Sequence, residues 1–240
     1  MLATAQNVLL EALAQALTPR TSASLERVPL QRNQILVRAG DAVRYAYFPT
    51  AGLVSIAALT AAGQAVDLAV IAQEGLVGVS ALFGNEKASH HAIVRLEGSA
   101  FRISGGILQR EFALNERLRA VLLEYAYRLS LDVAQSATCL CYHTVLQRLC
   151  RWLLIASDKT SSDLIGVTQD TLAQVLGVAR PVVTRAALEL QDVGAIRSRH
   201  GRIQLIDRPM LRRSACECVS SSREMFICHD DDSVSKVTDK

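Results

Sequence analysis

The sequence predicts an α+β chain with an N-terminal β-roll, a long dimerisation helix and a C-terminal winged helix-turn-helix. Three observations carry this. Short β-rich runs broken by turn residues fill 25–103, and heptad-spaced apolar residues fill 116–140. Two short amphipathic helices around a glycine then precede a basic hairpin within 167–206. The pattern shifts divide the chain into a β-roll sensor domain (1–110), a dimerisation helix and hinge (111–142), a winged helix-turn-helix (143–213) and a partly disordered tail (214–240).

Taken in order, residues 7–17 (NVLLEALAQAL) have helical spacing, and Pro19 is expected to close that helix. Runs such as QILVRAG, YAYFPTAGLVSIAAL, QAVDLAVI and HAIVRLEGSAFRI then alternate with turns at Gly40-Asp41, Ala62-Gly63, Glu74-Gly75 and Gly84-Asn85. Asn115 opens a long helix in which Leu122, Ala126, Leu129, Val133, Ser136 and Leu140 recur at steps of 4, 3, 4, 3 and 4. That seam is the expected dimer interface, although an ordinary helix packed on its own β domain gives the same spacing. Leu118, Val121 and Tyr125 offer a second apolar face. After a break near Cys141-Tyr142-His143, the helix TVLQRLCRWLLIAS ends at Asp158 and packs through Leu146, Leu149, Leu153 and Leu154. The segment KTSSD is a polar loop.

Thr168 is placed to cap the next helix, with Asp170 in its first turn, where the helix dipole favours negative charge. Leu172, Val175 and Leu176 share one side, and Gly177 stops the helix. In the helix that follows, Val183, Ala186, Ala187 and Leu190 form one buried stripe. The outer face shows Arg180, Pro181, Thr184 and Arg185. A strand at 195–199, a His200-Gly201 turn and a returning strand at 202–206 make a wing carrying Arg197, Arg199, His200 and Arg202. A helical hairpin with its charges merely in solvent is the alternative. The short turn, basic face and wing together point to DNA.

Bulk properties agree. The 240 residues are half apolar and only 5% aromatic, so the core is mostly aliphatic. Residues 144–213 hold 11 Lys/Arg against 6 Asp/Glu, whereas 1–143 hold 12 against 11 and 214–240 hold 3 against 6. The basic excess thus sits where a polyanion would dock. No apolar run approaches the roughly 18 residues of a membrane span, and Glu11 interrupts the first apolar stretch, so neither a membrane segment nor a secretory signal is expected. The six cysteines (139, 141, 150, 216, 218 and 228) are too sparse for a disulfide scaffold, which places the chain in the reducing cytoplasm.

A β-roll, a dimerising helix and a winged helix in this order resemble the Crp/Fnr superfamily, named for the cyclic AMP receptor protein and the fumarate-nitrate regulator. The resemblance spans about residues 7–218 and is carried by YFPTAGLVSI, EGLVG, VLQRLCRWLL, LGVARPVVTRAALELQ, GAI, HGRIQLIDR and the CEC at 216–218. It implies a homodimeric regulator of transcription that puts helix 179–191 into the major groove. Arg180 and Arg185 match the motif's two arginines and would contact guanines. Thr184 would reach a base edge or a phosphate. Thr168, Gln169, Arg197, Arg199 and Arg202 would hold the backbone, with His200 at the wing tip. Pro181 stands where the cyclic AMP receptor type has a glutamate, so the operator should differ. Ala179 replaces a capping serine, a loss of about 1 kcal/mol partly offset by the proline.

The sensor side departs from the resemblance. Where the family's nucleotide binders carry Gly-Glu-Leu and an Arg-Ser/Thr pair, this chain has Gly78-Val79-Ser80 and His90-His91. The helix positions facing the base would be Val133 and Ala134. Cyclic AMP is therefore not expected, the small-molecule effector is unknown, and no N-terminal cysteines exist for an iron–sulfur cluster. The expected partners are double-stranded DNA, a second copy of the chain and RNA polymerase, with no membrane and no cofactor.

Adjacent His90 and His91 point apart in a strand and do not suggest a metal. Cys139, Cys141 and His143 lie at the hinge and read as packed thiols, with a thiol redox sensor as the alternative. Cys216-Glu217-Cys218 with Cys228 and His229 lack the spacing of a closed tetrahedral site, so no metal is expected. No P-loop, dinucleotide fingerprint or nucleophile elbow occurs, and the chain is read as no enzyme. Two other readings stay open: a thiol enzyme on Cys141 and His143, and a ligand-binding β-roll whose winged helix contacts protein.

Overall fold

The computed structural model describes residues 6–83 and 87–219. The Gly84-Asn85 turn and the tail from 220 onward, with Cys228 and His229, lie outside the described residues. Helix α1 (Val8–Leu13) is capped by Asn7, whose side-chain oxygen accepts from the Leu10 N–H at 2.8 Å. The Asn7 amide donates to the carbonyls of Pro49 and Gly75, so a buried cap also ties this helix to the β-roll. Pro19 does not close a helix. It opens α2 (Pro19–Ala23) behind the Thr18 cap, where the missing N–H costs nothing.

Strands β1 (Glu26–Leu30), β2 (Ile35–Val37), β3 (Tyr45–Leu59), β4 (Ala65–Ile71) and β5 (His91–Ser104) form one antiparallel sheet in the order β1-β5-β3-β4, with β2 also on β5. β3 and β5 pair from Tyr45↔Ser104 to Ala57↔His91, with register shifts between Pro49 and Val54. The bulges bend this long ribbon into a roll. Gly98 sits in the bend, where a Cβ would lie 2.1 Å from the Ala51 carbonyl oxygen. Phe48, Leu76 and Ile103 pack beneath α3 (Gly105–Leu114) and α4 (Glu116–Tyr142), while Val54, Ile71, Val77 and Val94 fill the rest of the roll.

Helix α4 begins where expected, with the Asn115 side chain accepting from the Leu118 N–H at 3.1 Å. The expected seam divides by burial within the protomer. Leu122 is completely buried in its own protomer and Ser136 is buried as well, while Ala126, Leu129, Val133 and Leu140 are half-buried. Tyr125 lies on the same inner side and donates its hydroxyl to the Leu76 carbonyl at 2.8 Å. Leu122 is thus taken up by the roll's core, while four of the six stripe positions keep partly open surface. The surface left over carries Leu123, Tyr127 and Leu131, exposed at 46%, 64% and 38%.

His143 ends α4, and Thr144 and Gln147 form a capping box that starts α5 (Val145–Thr160). This helix runs two residues beyond the expected end at Asp158. Then come β6 (Leu164–Ile165), α6 (Gln169–Leu176), α7 (Arg180–Asp192), β7 (Ile196–Arg199), β8 (Arg202–Leu205) and α8 (Arg208–Ser214). β6 joins the wing as a third strand in the order β6-β8-β7; two residues are too few to show a period in sequence. Leu149, Trp152, Leu153, Leu172, Val183 and Leu190 build this core, which continues into Leu53, Ala72 and Leu96 of the β-roll. Leu146 is only half-buried at its margin.

The winged-helix domain is seated on the roll. Arg95 of β5, fully buried, donates to Asp67 at 2.6 Å and to the Gln174 side chain of α6 at 3.1 Å. Lys159 of α5 pairs with Glu74. Gly177 meets Val66 of β4, with a Cβ position 3.1 Å from the valine Cβ. Its φ of +63° is left-handed, so Gly177→Ala is expected to cost about 1–2 kcal/mol and to press on the docking contact. Thermal melting checks this; an unchanged midpoint would contradict it.

Candidate nucleic-acid interface and associated sites

Thr168 accepts from the Thr171 N–H at 3.1 Å and starts α6, which buries Thr171, Leu172, Val175 and Leu176. Gly177 turns the chain in the left-handed region, and the Val178 N–H returns to the Ala173 carbonyl at 3.0 Å. Ala179 starts α7 without a side-chain cap, and Pro181 occupies its first turn. Val183, Ala186, Ala187 and Leu190 are buried, as the stripe predicted. Arg180, Pro181, Val182 and Arg185 face solvent, and Thr184 is half-exposed.

These outward groups are partly organised already. The Thr184 hydroxyl donates to the Gln169 side-chain oxygen at 2.8 Å and contacts the Arg180 carbonyl at 3.1 Å. Arg180 lies 3.2 Å from Asp170, with both side chains more than 60% exposed, a pair too solvated to hold the guanidinium firmly. In the wing, Arg199 pairs in register with Arg202 and Arg197 with Gln204, while Ile203 and Leu205 point inward. Arg197, Arg199 and Arg202 therefore share the outer face, and all three are exposed. His200 and Gly201, with φ of +50° and +70°, make a turn of the primed type suited to a two-residue hairpin. Among the described residues no carboxylate forms a salt bridge with Arg185, Arg197, Arg199 or Arg202. Arg180, Arg185, Arg197, Arg199 and Arg202 are all exposed, and Arg202 also lines a cleft with Arg32, Leu96 and Glu97 of the roll.

Between the roll and α4 lies a cavity of about 300 Å³, lined chiefly by Val37, Ile56, Ala92, Ala126, Leu129 and Val133. Serines and His90 supply its polar groups, and among the described residues no arginine or lysine lines it. A cyclic phosphate there would meet no cation. Val133 lines the cavity as expected, whereas Ala134 is exposed and does not. His90 contacts Ser89 at its rim and His91 belongs to β5, so the two histidines do not act as a pair.

The hinge cysteines differ from expectation. Cys139 and His143 come together with Cys216 and Cys218, from the turn after α8, Cys139 and Cys216 being 77 positions apart in the chain. Cys141 is exposed and outside the group. A hydrogen bond from Cys216 holds the Cys139 thiol below the usual range, whereas this bond and burial push Cys216 up. Among the described residues, Cys216 and Cys218 thus find partners in α4 and its cap. The available signal was the one-turn Cys139–His143 spacing at the end of a long helix.

A β-roll joined through a long helix to a winged helix-turn-helix with exposed arginines has the architecture of a transcription regulator. Residues 27–115 match the cyclic nucleotide-binding domain family and residues 147–214 the Crp-like helix-turn-helix domain family. The chain belongs to the Crp/Fnr superfamily of transcriptional regulators. Among solved structures it is similar to FixK2 from Bradyrhizobium japonicum (15% identity, TM-score 0.69, 80% of this chain and 98% of that one). It is also similar to TTHA1359, a CRP/FNR-family transcriptional regulator from Thermus thermophilus (25% identity, TM-score 0.66, 79% and 98%). The c-di-GMP responsive global regulator CLP from Xanthomonas campestris shares the fold at 22% identity, with a TM-score of 0.63 over 77% of this chain and 95% of that one. No curated protein matches the sequence.

Proposed function

We propose that the protein is a homodimeric, sequence-specific DNA-binding regulator of transcription, working in the cytoplasm with RNA polymerase. The observation that carries this is a set of arginines on α7 and the wing: Arg185, Arg197, Arg199 and Arg202 are exposed and engage no carboxylate in a salt bridge among the described residues. α7 enters the major groove, with Arg180 and Arg185 reading base edges beside Pro181 and Thr184. Thr168, Gln169, Arg197, Arg199, His200 and Arg202 grip the backbone. Selection from a random duplex library at ordinary salt tests this. Enrichment of a pseudo-palindrome is expected, and no duplex bound above bulk competitor would overturn it.

The dimer contact is assigned to Leu123, Tyr127 and Leu131, one exposed stripe at i, i+4 and i+8 of α4. Tyr127→Glu puts a charge in that contact and is expected to weaken dimerisation about 10–100-fold, roughly 1.4–2.8 kcal/mol. Sedimentation against concentration reads it out, and a dimer of unchanged affinity would remove the stripe from consideration. The cavity beside α4 fits a largely apolar effector better than a cyclic nucleotide, because its lining offers no cation to a phosphate.

A further inference from the structure

We propose that Cys139, His143, Cys216 and Cys218 form a tetrahedral zinc site that fastens the chain leaving the winged-helix domain to the end of α4. Each of the four residues offers one donor atom, and these atoms all lie within 4.8 Å of one another. Cys139 Sγ is 3.6 Å from Cys216 Sγ, and Cys218 Sγ is 3.6 Å from His143 Nδ1. Four donors on arms of about 2.0–2.3 Å around one zinc stand about 3.5–3.8 Å apart at the tetrahedral angle. The two 3.6 Å separations are those of donors on one ion. Thiolates of an iron–sulfur cluster bind different irons and stand wider.

The surroundings fit as well. The three cysteines are almost fully buried, which screens the donor group from solvent. On the outer side of His143, Nε2 lies 3.2 Å from the Glu217 carboxylate. That contact leaves Nδ1 to the metal and fixes the ring, the carboxylate–histidine–zinc arrangement of metal sites. Three thiolates and one neutral imidazole around Zn²⁺ leave a net charge of −1. Arg148 and Arg151 of α5 supply positive charge beside it.

Packing as small hydrophobes explains the burial of the sulfurs but not the aligned histidine or its carboxylate. A disulfide between Cys139 and Cys216 would use two of four donors, and 3.6 Å is far beyond a bond of about 2.05 Å. Soft thiolates with an imidazole in tetrahedral array favour zinc. On binding, three S–H bonds lose their protons to solvent and three Zn–S bonds and one Zn–N bond form, with no change of oxidation state. Because His143 caps α4 and Cys216 follows α8, the ion closes a loop around the entire winged-helix domain, fixing the hinge from both ends of that domain.

The test is elemental analysis of the full chain, purified without a histidine tag under reducing conditions. About one zinc per protomer is expected. Cys139→Ser and Cys216→Ser should bring it below about one-tenth, and Cys141→Ser should leave it unchanged. Glu217→Gln should weaken zinc affinity about 10–100-fold while keeping a full site at saturation, and it remains informative if the cysteine variants do not fold. Chelation should lower the melting midpoint by about 5 °C or more, reversed by zinc. Cobalt exchanged into the site should show thiolate-to-metal charge transfer. A folded native protein without metal, with iron instead, or with a Cys139–Cys216 disulfide would overturn the proposal. None of these measurements involves DNA, so the site and the regulator reading fail separately.

Discussion

Replacing Arg95 by alanine should destabilise the protein by about 3–5 kcal/mol, a drop of about 10 °C in the melting midpoint for a chain of this size. Arg95 is fully buried, and its two bonds to Asp67 join β5 to β4 while its third reaches Gln174 in α6. Truncation leaves a buried carboxylate with only Ser55 as donor and removes one of the ties between the roll and the winged-helix domain. Burial already pushes Asp67 above the ordinary carboxylate range, against the downward pull of Arg95 and Ser55. Burial of the carboxylate thus works against the ion pair's gain. It follows that Arg95→Met with Asp67→Leu should recover most of the lost stability.

The pH dependence has a definite sign. Without Arg95, the folded-state pKa of Asp67 moves further above its unfolded value, so the penalty grows as pH rises. It shrinks as pH falls toward the ordinary carboxylate value and the folded-state carboxyl takes a proton. Denaturant melts of both variants from about pH 7 down to about pH 4.5, near the ordinary carboxylate range, measure it. A constant difference across that range, or a double variant as weak as the single, would show that desolvation of Asp67 is not the cause.

What was legible in the sequence is what local chemistry decides. Thr168, Gly177 and the stripe Val183, Ala186, Ala187 and Leu190 each specify their own turn of helix, and His200-Gly201 specifies the wing. The partners of α4 were not legible. A 4-3 spacing says that one face is buried, not by which neighbour, and the roll captured Leu122 before a second subunit had the chance. Arg95 looked like any polar residue in a strand, because its partners come from β4 and α6. The cysteine group was hidden by distance along the chain: two donors precede the winged-helix domain and two follow it, and only the docking of the turn after α8 against the end of α4 brings them together.

Arg185→Ala and Arg202→Ala should separate base reading from backbone contact. Arg185 projects from α7 without a salt-bridge partner among the described residues, whereas Arg180 shares its charge with Asp170. A guanidinium bidentate to guanine discriminates by about 1–3 kcal/mol, so Arg185→Ala should weaken the selected site about 5–150-fold and abolish preference at one base pair per half-site. Arg202 sits on the exposed wing beside Arg199, where a duplex presents phosphates. Its removal should weaken all sequences alike and flatten the dependence of log affinity on log salt by about one. Fluorescence anisotropy on the selected duplex and its single-pair variants, at three or more salt concentrations, distinguishes the two. Equal, sequence-independent losses from both substitutions would mean that α7 lies along the backbone and not in the groove, and the recognition role would pass from this helix.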